Sequence, residues 1–443
     1  MSYRQTLTKL FDLQKFGIKV GLESMSRLLA SLSNPHQRLT CAHVAGTNGK
    51  GSTAASLASI LKAAGYKVGL YTSPHLVTFR ERIQIDGLML SEEATLDLFE
   101  RVWAVIDEKT PPTFFEFVTA MAFLAFADQN LDLAIIEAGL GGRLDSTNVI
   151  KPLVTAITNI SIEHAEYLGP DLATIASEKA GIIKKDVPLV GGALSPEALT
   201  VIKNRLTRVK APGKFLNEDY RFVLNDSDAG LTSFDYQGPQ WSLKNLALNL
   251  AGPYQAENAA QAIAMAETLT GLGFSLPEEA IFKGLKNVQW PGRAERFSPG
   301  SWPPEGGSQA PLVLDGAHNP GGAKAFSSYL AQVKAKAIHL IVGVMADKDV
   351  AGVLGPLTPY ASRLYLTRPE YDRAATPEEL KERLIAALGP FKVPTDLYPN
   401  LPAALKAASQ AAGPEDLVVV SGSLFTVGET RAYLTGEPVV ESN

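Results

Sequence analysis

The chain is expected to be an α/β protein: a doubly wound, mostly parallel sheet carrying a small antiparallel sheet, then a second, smaller α/β domain. Three observations predict this. Short apolar runs ending in polar residues alternate with helical segments along most of the 443 residues. Between Tyr220 and Leu250 the texture changes to shorter runs of alternating polarity. A stretch dominated by Pro, Gly and Ser, from Ser298 to Ala310, interrupts the pattern, and the alternation then restarts. Strands alternating with helices indicate a parallel sheet covered on both faces. A chain this long exceeds one ordinary core, so two domains are expected.

Taken in order, C-A-H-V-A at 41–45 is the first strand. It runs into G-T-N-G-K-G-S at 46–52, and small, apolar residues at helical spacing predict a helix over Ser52–Ala64. K-V-G-L-Y, Lys67–Tyr71, is the second strand. Phe115–Asp128 is apolar nearly all round, which predicts a buried helix. Leu131–Ile136 and Leu153–Ile157 are continuous apolar runs, as buried parallel strands are. R-F-V-L-N, L-T-S-F-D-Y and W-S-L-K-N-L form the small antiparallel sheet. Beyond Ala310, runs at 312–315, 339–343, 363–366 and 416–420 predict a Rossmann-like second sheet. The division is placed at 1–297 and 298–443.

The totals exclude several classes. A formal net charge of −5 lacks the basic excess of a general nucleic-acid binder, so no nucleic-acid partner is expected. No apolar run approaches the roughly 20 residues of a bilayer span. The start of the chain carries charges where a signal core would lie. Cys41 is the only cysteine, so no internal disulfide can form. A cytoplasmic monomer without membrane partners is the expectation.

In open α/β sheets, ligands bind beyond the carboxyl ends of the strands. The first strand leads to a near-match of the phosphate-binding loop. Val44 stands where its first Gly belongs, and Gly51 separates Lys50 from Ser52. Strand before and helix after supply the required context, so backbone N–H groups of Gly46–Gly51 are expected to cradle phosphates. Lys50 would neutralise them, and Ser52 or Thr53 would reach a magnesium ion. Gly51 is expected to let the loop bulge between Lys50 and the helix. Other strands end at Ser73, at Glu137, before Glu163-His164, at Asp315 and at Ser421–Ser423. Ser73, Glu137 and His164 form a candidate magnesium set of hydroxyl, carboxylate and imidazole. Taken alone, His164 reads as a hydrogen-bonded structural histidine, and Glu178-Lys179 as a solvated helix face. Asn258 stands out little by itself, and Arg293, just before the linker, is placed to reach an interdomain cleft.

Together these motifs resemble the folylpolyglutamate synthase and dihydrofolate synthase family of the Mur ligase superfamily. The resemblance runs through G-T-N-G-K-G-S at 46–52, T-S-P-H-L at 72–76 and R-E-R-I at 80–83. It continues through E-A-G-L-G-G-R-L-D-S-T-N at 137–148, S-E-K-A-G-I-I-K at 177–184, P-G-R at 291–293 and D-G-A-H-N-P at 315–320. It implies an ATP-dependent, cytoplasmic ligase of folate biosynthesis and one-carbon metabolism. Such a ligase joins L-glutamate to dihydropteroate or tetrahydrofolate through an acyl phosphate. By the same resemblance, Gly49, Lys50, Gly51 and Ser52 hold ATP phosphates, and Asn258, Arg293 and Asp315 contact the nucleotide. Ser73, Glu137 and His164 bind Mg2+, with a monovalent cation as a further candidate. Lys50, Lys179 and His318 are catalytic, and Lys179 matches a lysine carried as a carbamate. Thr113, Phe114, Phe115, Glu116 and Leu144 fall where the family places its pterin. The chain departs from the family at Glu163, where Asp is usual, and at Tyr254, where His is common. Two alternatives stand beside this reading. A cell-wall amino-acid ligase would carry a nucleotide-sugar domain before the loop, whereas 45 residues precede Gly46. A phosphate-loop switch would have no need of a second α/β domain.

Overall fold

A computed structural model describes residues 2–437 except 18, 20, 108, 229, 230, 305 and 391. The first lobe is built on β1 (Cys41–Ala45), β2 (Val68–Tyr71), β3 (Ile83–Ile85), β4 (Leu88–Met89), β5 (Leu133–Glu137), β6 (Val154–Ile157), β7 (Leu189–Gly191) and β8 (Gly213–Phe215). Their order is β4-β3-β2-β5-β1-β6-β7-β8. The strands from β2 to β8 in that order run parallel, and β3 and β4 add an antiparallel edge. Every residue of β1, β2, β5 and β6 is buried, which is why these strands read as unbroken apolar runs. Chain crossovers diverge on either side of β1, so a crevice opens at its carboxyl end.

Each face of this sheet has its own core. On one face, the helix Lys50–Ala63 packs with Pro253–Thr270, and small side chains from Ser52 to Ser56 permit a close approach. A three-stranded antiparallel sheet joins the same core: β9 (Arg221–Asp228), β10 (Leu231–Gln237) and β11 (Ser242–Leu248), as expected from the alternating texture. On the other face, Phe114–Asp128 is buried from Glu116 to Phe126. Burying each of its large side chains stabilises the fold by about 1.5–3 kcal/mol. Helices Tyr3–Phe11 and Glu23–Ser31, absent from the sequence expectation, cover this face.

The second lobe contains β12 (Glu295–Phe297), β13 (Leu312–Leu314), β14 (Ile338–Val342), β15 (Arg363–Leu366), β16 (Thr395–Leu397) and β17 (Leu417–Ser421). The order is β12-β13-β17-β14-β15-β16, parallel throughout except where β12 pairs antiparallel with β13. The described residues of 298–310 form no helix or strand. β12 therefore reaches its partner across that stretch. The lobes share apolar packing: Leu76 and Val77 join Trp302 and Val427, while Ala251 and Tyr254 pack on the core around β13 and β14. No helix among the described residues is long and apolar enough to cross a membrane.

Candidate active site

The loop after β1 sets the geometry. Gly46 and Gly49 both have positive φ, 149° and 83°, and Gly49 caps the helix Lys50–Ala63. The helix begins at Lys50, so the bulge expected at Gly51 is not formed. The left-handed turn is completed at Gly49, and Gly51 lies in the first helical turn. A Cβ there would stand 2.7 Å from the Trp290 ring. The loop thus presents backbone N–H groups at a helix N-terminus, the arrangement that favours anions. Of the two hydroxyls, Ser52 lines the crevice, whereas Thr53 is fully buried and its Oγ1 has no hydrogen-bond partner among the described residues.

A cleft of about 200 Å3 runs from this loop to the second lobe. Gly49, Lys50, Gly51, Ser52, Ser73, Glu137, His164, Asn258, Arg293, Asp315 and His318 all line it. The structure therefore brings together residues from four strand ends of the first lobe and one of the second. Lys50 Nζ donates to the carbonyls of Gly46 (3.2 Å) and Thr47 (2.9 Å) and lies 4.0 Å from Glu137 Oε1. The Ser73 N–H donates to Glu137 Oε2 at 3.3 Å. Burial pushes the Glu137 carboxyl up to about 7, against the pull of Lys50. Lys50 at 4.0 Å, the Ser73 N–H, and more weakly Arg293 and Arg82, offset this burial only in part, so the carboxylate has spare capacity for a cation.

That capacity is the test of whether a metal fits. Among the described residues, no cluster of three His, Cys, Asp or Glu side chains is placed to hold a metal ion. The set has one carboxylate, one hydroxyl and one imidazole. This sparse oxygen-rich donor set suits Mg2+, which keeps waters and phosphate oxygens as its remaining ligands. His164 adopts φ 49° at the start of the helix Ala165–Leu168; its carbonyl accepts from the Tyr167 and Leu168 N–H groups at 2.9 Å, whereas its imidazole makes no hydrogen bond among the described residues. The reading of His164 as a hydrogen-bonded structural histidine is thereby corrected.

Lys179 lies behind the cleft wall. It is 1% exposed, which corrects the solvated-face reading for this residue: the turn of Leu172–Lys179 that carries it faces the sheet. Its Nζ donates to the Gly46 carbonyl at 2.8 Å and lies 3.8 Å from Glu163 Oε1. Burial, then the charge of Lys50, pushes its amine down to about 8. Glu178 is instead paired with Arg143 at 2.8 Å toward solvent.

In the second lobe, burial pushes the Asp315 carboxyl up to about 6, opposed first by Arg293. Tyr254 Oη and the Ala294 N–H donate to its Oδ2 at 3.1 and 2.9 Å, and the Ala317 N–H to Oδ1 at 3.0 Å. His318 is held by a 2.8 Å contact from Nδ1 to the Gly316 carbonyl, which makes Nδ1 the protonated nitrogen. Burial pushes this imidazole down to about 4, so it is neutral at pH 7. Asn258 Nδ2 donates to Gln255 Oε1 at 3.1 Å, and its Oδ1 crowds Gly49.

The five remaining candidates sit next door, outside the lining of this cleft. Thr113 and Glu116 form a capping box: the Thr113 N–H donates to Glu116 Oε2 at 2.7 Å, and the Glu116 N–H to Thr113 Oγ1 at 3.2 Å. Phe114 stacks on Phe11 at 5.5 Å beneath the Arg82 guanidinium at 5.2 Å. Phe115 packs near Tyr71 and against Gly139, which does line the cleft. Leu144 is half-buried on the loop that also carries Gly139. Sequence reasoning missed Asn48 and Asn319, which bridge the lobes, and Trp290 beside Gly51. The first two lie inside motifs already noted, but only their pairing gives them meaning.

A two-lobed α/β fold with a phosphate-type loop facing a second-lobe Asp–His loop defines an ATP-dependent ligase of the Mur type. The Mur ligase middle domain matches residues 44–266, and the Mur ligase glutamate ligase domain matches 305–424. The dihydrofolate synthase/folylpolyglutamate synthase of Bacillus subtilis is 34% identical, covering 95% of this chain and 96% of that protein. A folylpolyglutamate synthase of Mycobacterium tuberculosis complexed with ADP superposes with a TM-score of 0.88 at 31% identity, covering 98% of this chain and 99% of that one. A probable bifunctional folylpolyglutamate synthase/dihydropteroate synthase of Haloferax volcanii is 35% identical over 98% of this chain, which spans 51% of that relative's length. The chain belongs to the folylpolyglutamate synthase/dihydrofolate synthase family.

Proposed function

We propose that this chain joins the α-amine of L-glutamate to the carboxylate of a dihydropteroate or tetrahydrofolate, consuming ATP. The observation that carries the reading is the meeting, in one cleft, of the glycine loop, Glu137 and the Asp315–His318 loop. A carboxylate resists attack by an amine because its charge repels nucleophiles and oxide is a poor leaving group. In the first step a carboxylate oxygen attacks the γ-phosphorus, and the bond to the β-phosphate oxygen breaks, giving an acyl phosphate and ADP. In the second step the amine attacks the acyl carbon, loses a proton, and the C–O bond to phosphate breaks, leaving the amide.

The N–H groups of Gly49 to Ser52 and the Lys50 ammonium stabilise phosphate charge in the first step. Asn258, Arg293 and Asp315 hold the nucleotide. Neutral His318 offers Nε2 as an acceptor for the glutamate amine. Thr113, Phe114, Phe115, Glu116 and Leu144 bound the pterin, with flat aromatic faces available for stacking. Magnesium held by Ser73, Glu137 and His164 would supply Lewis-acid neutralisation of the phosphates. The depressed ammonium of Lys179 leaves a share of neutral amine able to add carbon dioxide, which supports a carbamate there. Mass spectrometry of intact protein with and without bicarbonate checks it: a labile gain at Lys179 is expected, and an unmodified lysine in fully active, bicarbonate-independent enzyme would contradict it.

The function is tested by supplying ATP and labelled glutamate with dihydropteroate or with tetrahydrofolate. Label should enter the pterin product with one ADP per amide. Sustained ADP release that needs neither acceptor would favour a phosphate-loop switch and overturn the reading.

A further inference from the structure

Two asparagines, 271 residues apart, tie the lobes together through their side chains. Asn48 stands at the tip of the nucleotide loop. Its backbone is already fixed to the first lobe: its N–H donates to Asn159 Oδ1 at 2.9 Å, and its carbonyl accepts from Thr158 Oγ1 at 2.6 Å. Its side chain is left to reach outward. Asn319 caps the second-lobe helix Pro320–Leu330, with Oδ1 accepting from the Gly322 N–H at 2.7 Å. The two carboxamides exchange reciprocal bonds, Asn48 Nδ2 to Asn319 Oδ1 at 3.2 Å and Asn319 Nδ2 to Asn48 Oδ1 at 3.0 Å. Asn319 Nδ2 also donates to Glu163 Oε2 at 3.1 Å, and the other oxygen of Glu163 faces Lys179, which holds the Gly46 carbonyl. The second lobe therefore touches the nucleotide loop directly at its tip and is linked to its start, Gly46, through Glu163 and Lys179 of the first lobe. A side chain at Gly321 would come within 3.0 Å of Asn48 Nδ2, so the helix start approaches the loop as closely as its backbone permits.

We infer that the Asn48–Asn319 carboxamide pair is the catch that closes the second lobe over the nucleotide loop, making Asn319 a positioning residue for acyl transfer. The inference rests on the ligase reading above. An acyl phosphate is destroyed by water, so a ligase of this kind needs its lobes shut while the intermediate lives. A self-complementary amide pair suits the task. It has directional bonds, carries no charge to compete with phosphate for Lys50, and re-forms after each product release. Its coupling to Glu163 makes closure sense the arrangement around Lys179.

The test uses full-length wild type, Asn48→Ala, Asn319→Ser and the double variant. Serine keeps a capping hydroxyl for the helix, and Asn48→Ala leaves that cap untouched, so it carries the test alone should Asn319→Ser fail to fold. One readout is small-angle scattering with and without β,γ-methylene-ATP and magnesium. The other is phosphate released per amide formed. With the analogue bound, wild type should be as compact as the structure with its catch engaged and release about one phosphate per amide, while each variant should be more open and release at least about fivefold more. The double variant should be no worse than the poorer single, since all three lack the same contact. Variants as compact as wild type that keep its ratio, or single effects that multiply in the double, would overturn the catch. A compact wild type that forms no amide, beside variants that are more open, would sink the ligase reading and leave the catch supported.

Discussion

Glu137 shows what a buried carboxylate lining the cleft costs the fold. Its carboxyl titrates near 7 in the folded chain, against an ordinary 4.5. The folded state therefore binds more protons than the unfolded state between those values. Stability attributable to this group is full below about pH 4.5 and is lost as pH rises through about 7. Replacing it by an amide removes that loss. Glu137→Gln should thus raise stability at pH 8 by about 1–3 kcal/mol, with the gain vanishing toward pH 4.5, while ligation is abolished. Thermal denaturation across that range, beside an activity assay, checks it. A variant less stable than wild type at pH 8 would mean that the Lys50 contact outweighs the burial of the charge. Lys50→Ala makes the complementary case: the loop should survive, ADP binding weaken, and ligation fall by about 10²–10³-fold. Site chemistry at this scale was partly legible. A carboxylate at the end of an unbroken apolar run signals an unusual Glu137. The burial of Lys179 had no such local sign, because A-S-E-K-A reads equally as an exposed helix face.

At the scale of elements, the loop and its helix carry the argument. Gly49 holds φ 83°, and a Cβ there would meet Asn258 Oδ1 at 2.3 Å. An Ala forced into left-handed backbone costs about 1–2 kcal/mol before any clash. Gly49→Ala should therefore cut ADP affinity by about tenfold or more with helix content unchanged. Gly65→Ala is the control: φ is +92° but nothing lies within 4 Å, so only stability should fall. Calorimetric titration of both variants with ADP, beside circular dichroism, separates them; equal losses of affinity would undo the role given to the loop. The buried strands were readable because both their faces are covered. The start of the helix Lys50–Ala63 was misread because Gly51 looks like loop, whereas its task is to clear Trp290. The first helix was missed although Ser2 and Gln5 form a capping box, a local S-x-x-Q signal that could have found it.

At the scale of the whole molecule, the two lobes make one site. Asp315 is held by Tyr254 and Ala294 from outside its own strand, and Asn319 is held by Asn48 and Glu163. Two α/β domains were legible from the interrupted alternation, and family motifs named the residues at their strand ends. The bridging contacts were not legible, because no local pattern reports a pairing across hundreds of residues. A second, larger cavity of about 470 Å3 opens beside Trp290 and the β3–β4 edge, and it shares Arg293 with the first. The most direct test is a crystal structure with β,γ-methylene-ATP and magnesium. The account predicts phosphates over Gly49–Ser52 near Lys50 and a ribose toward Asp315. A nucleotide seated in the cavity beside Trp290, away from the glycine loop, would contradict it.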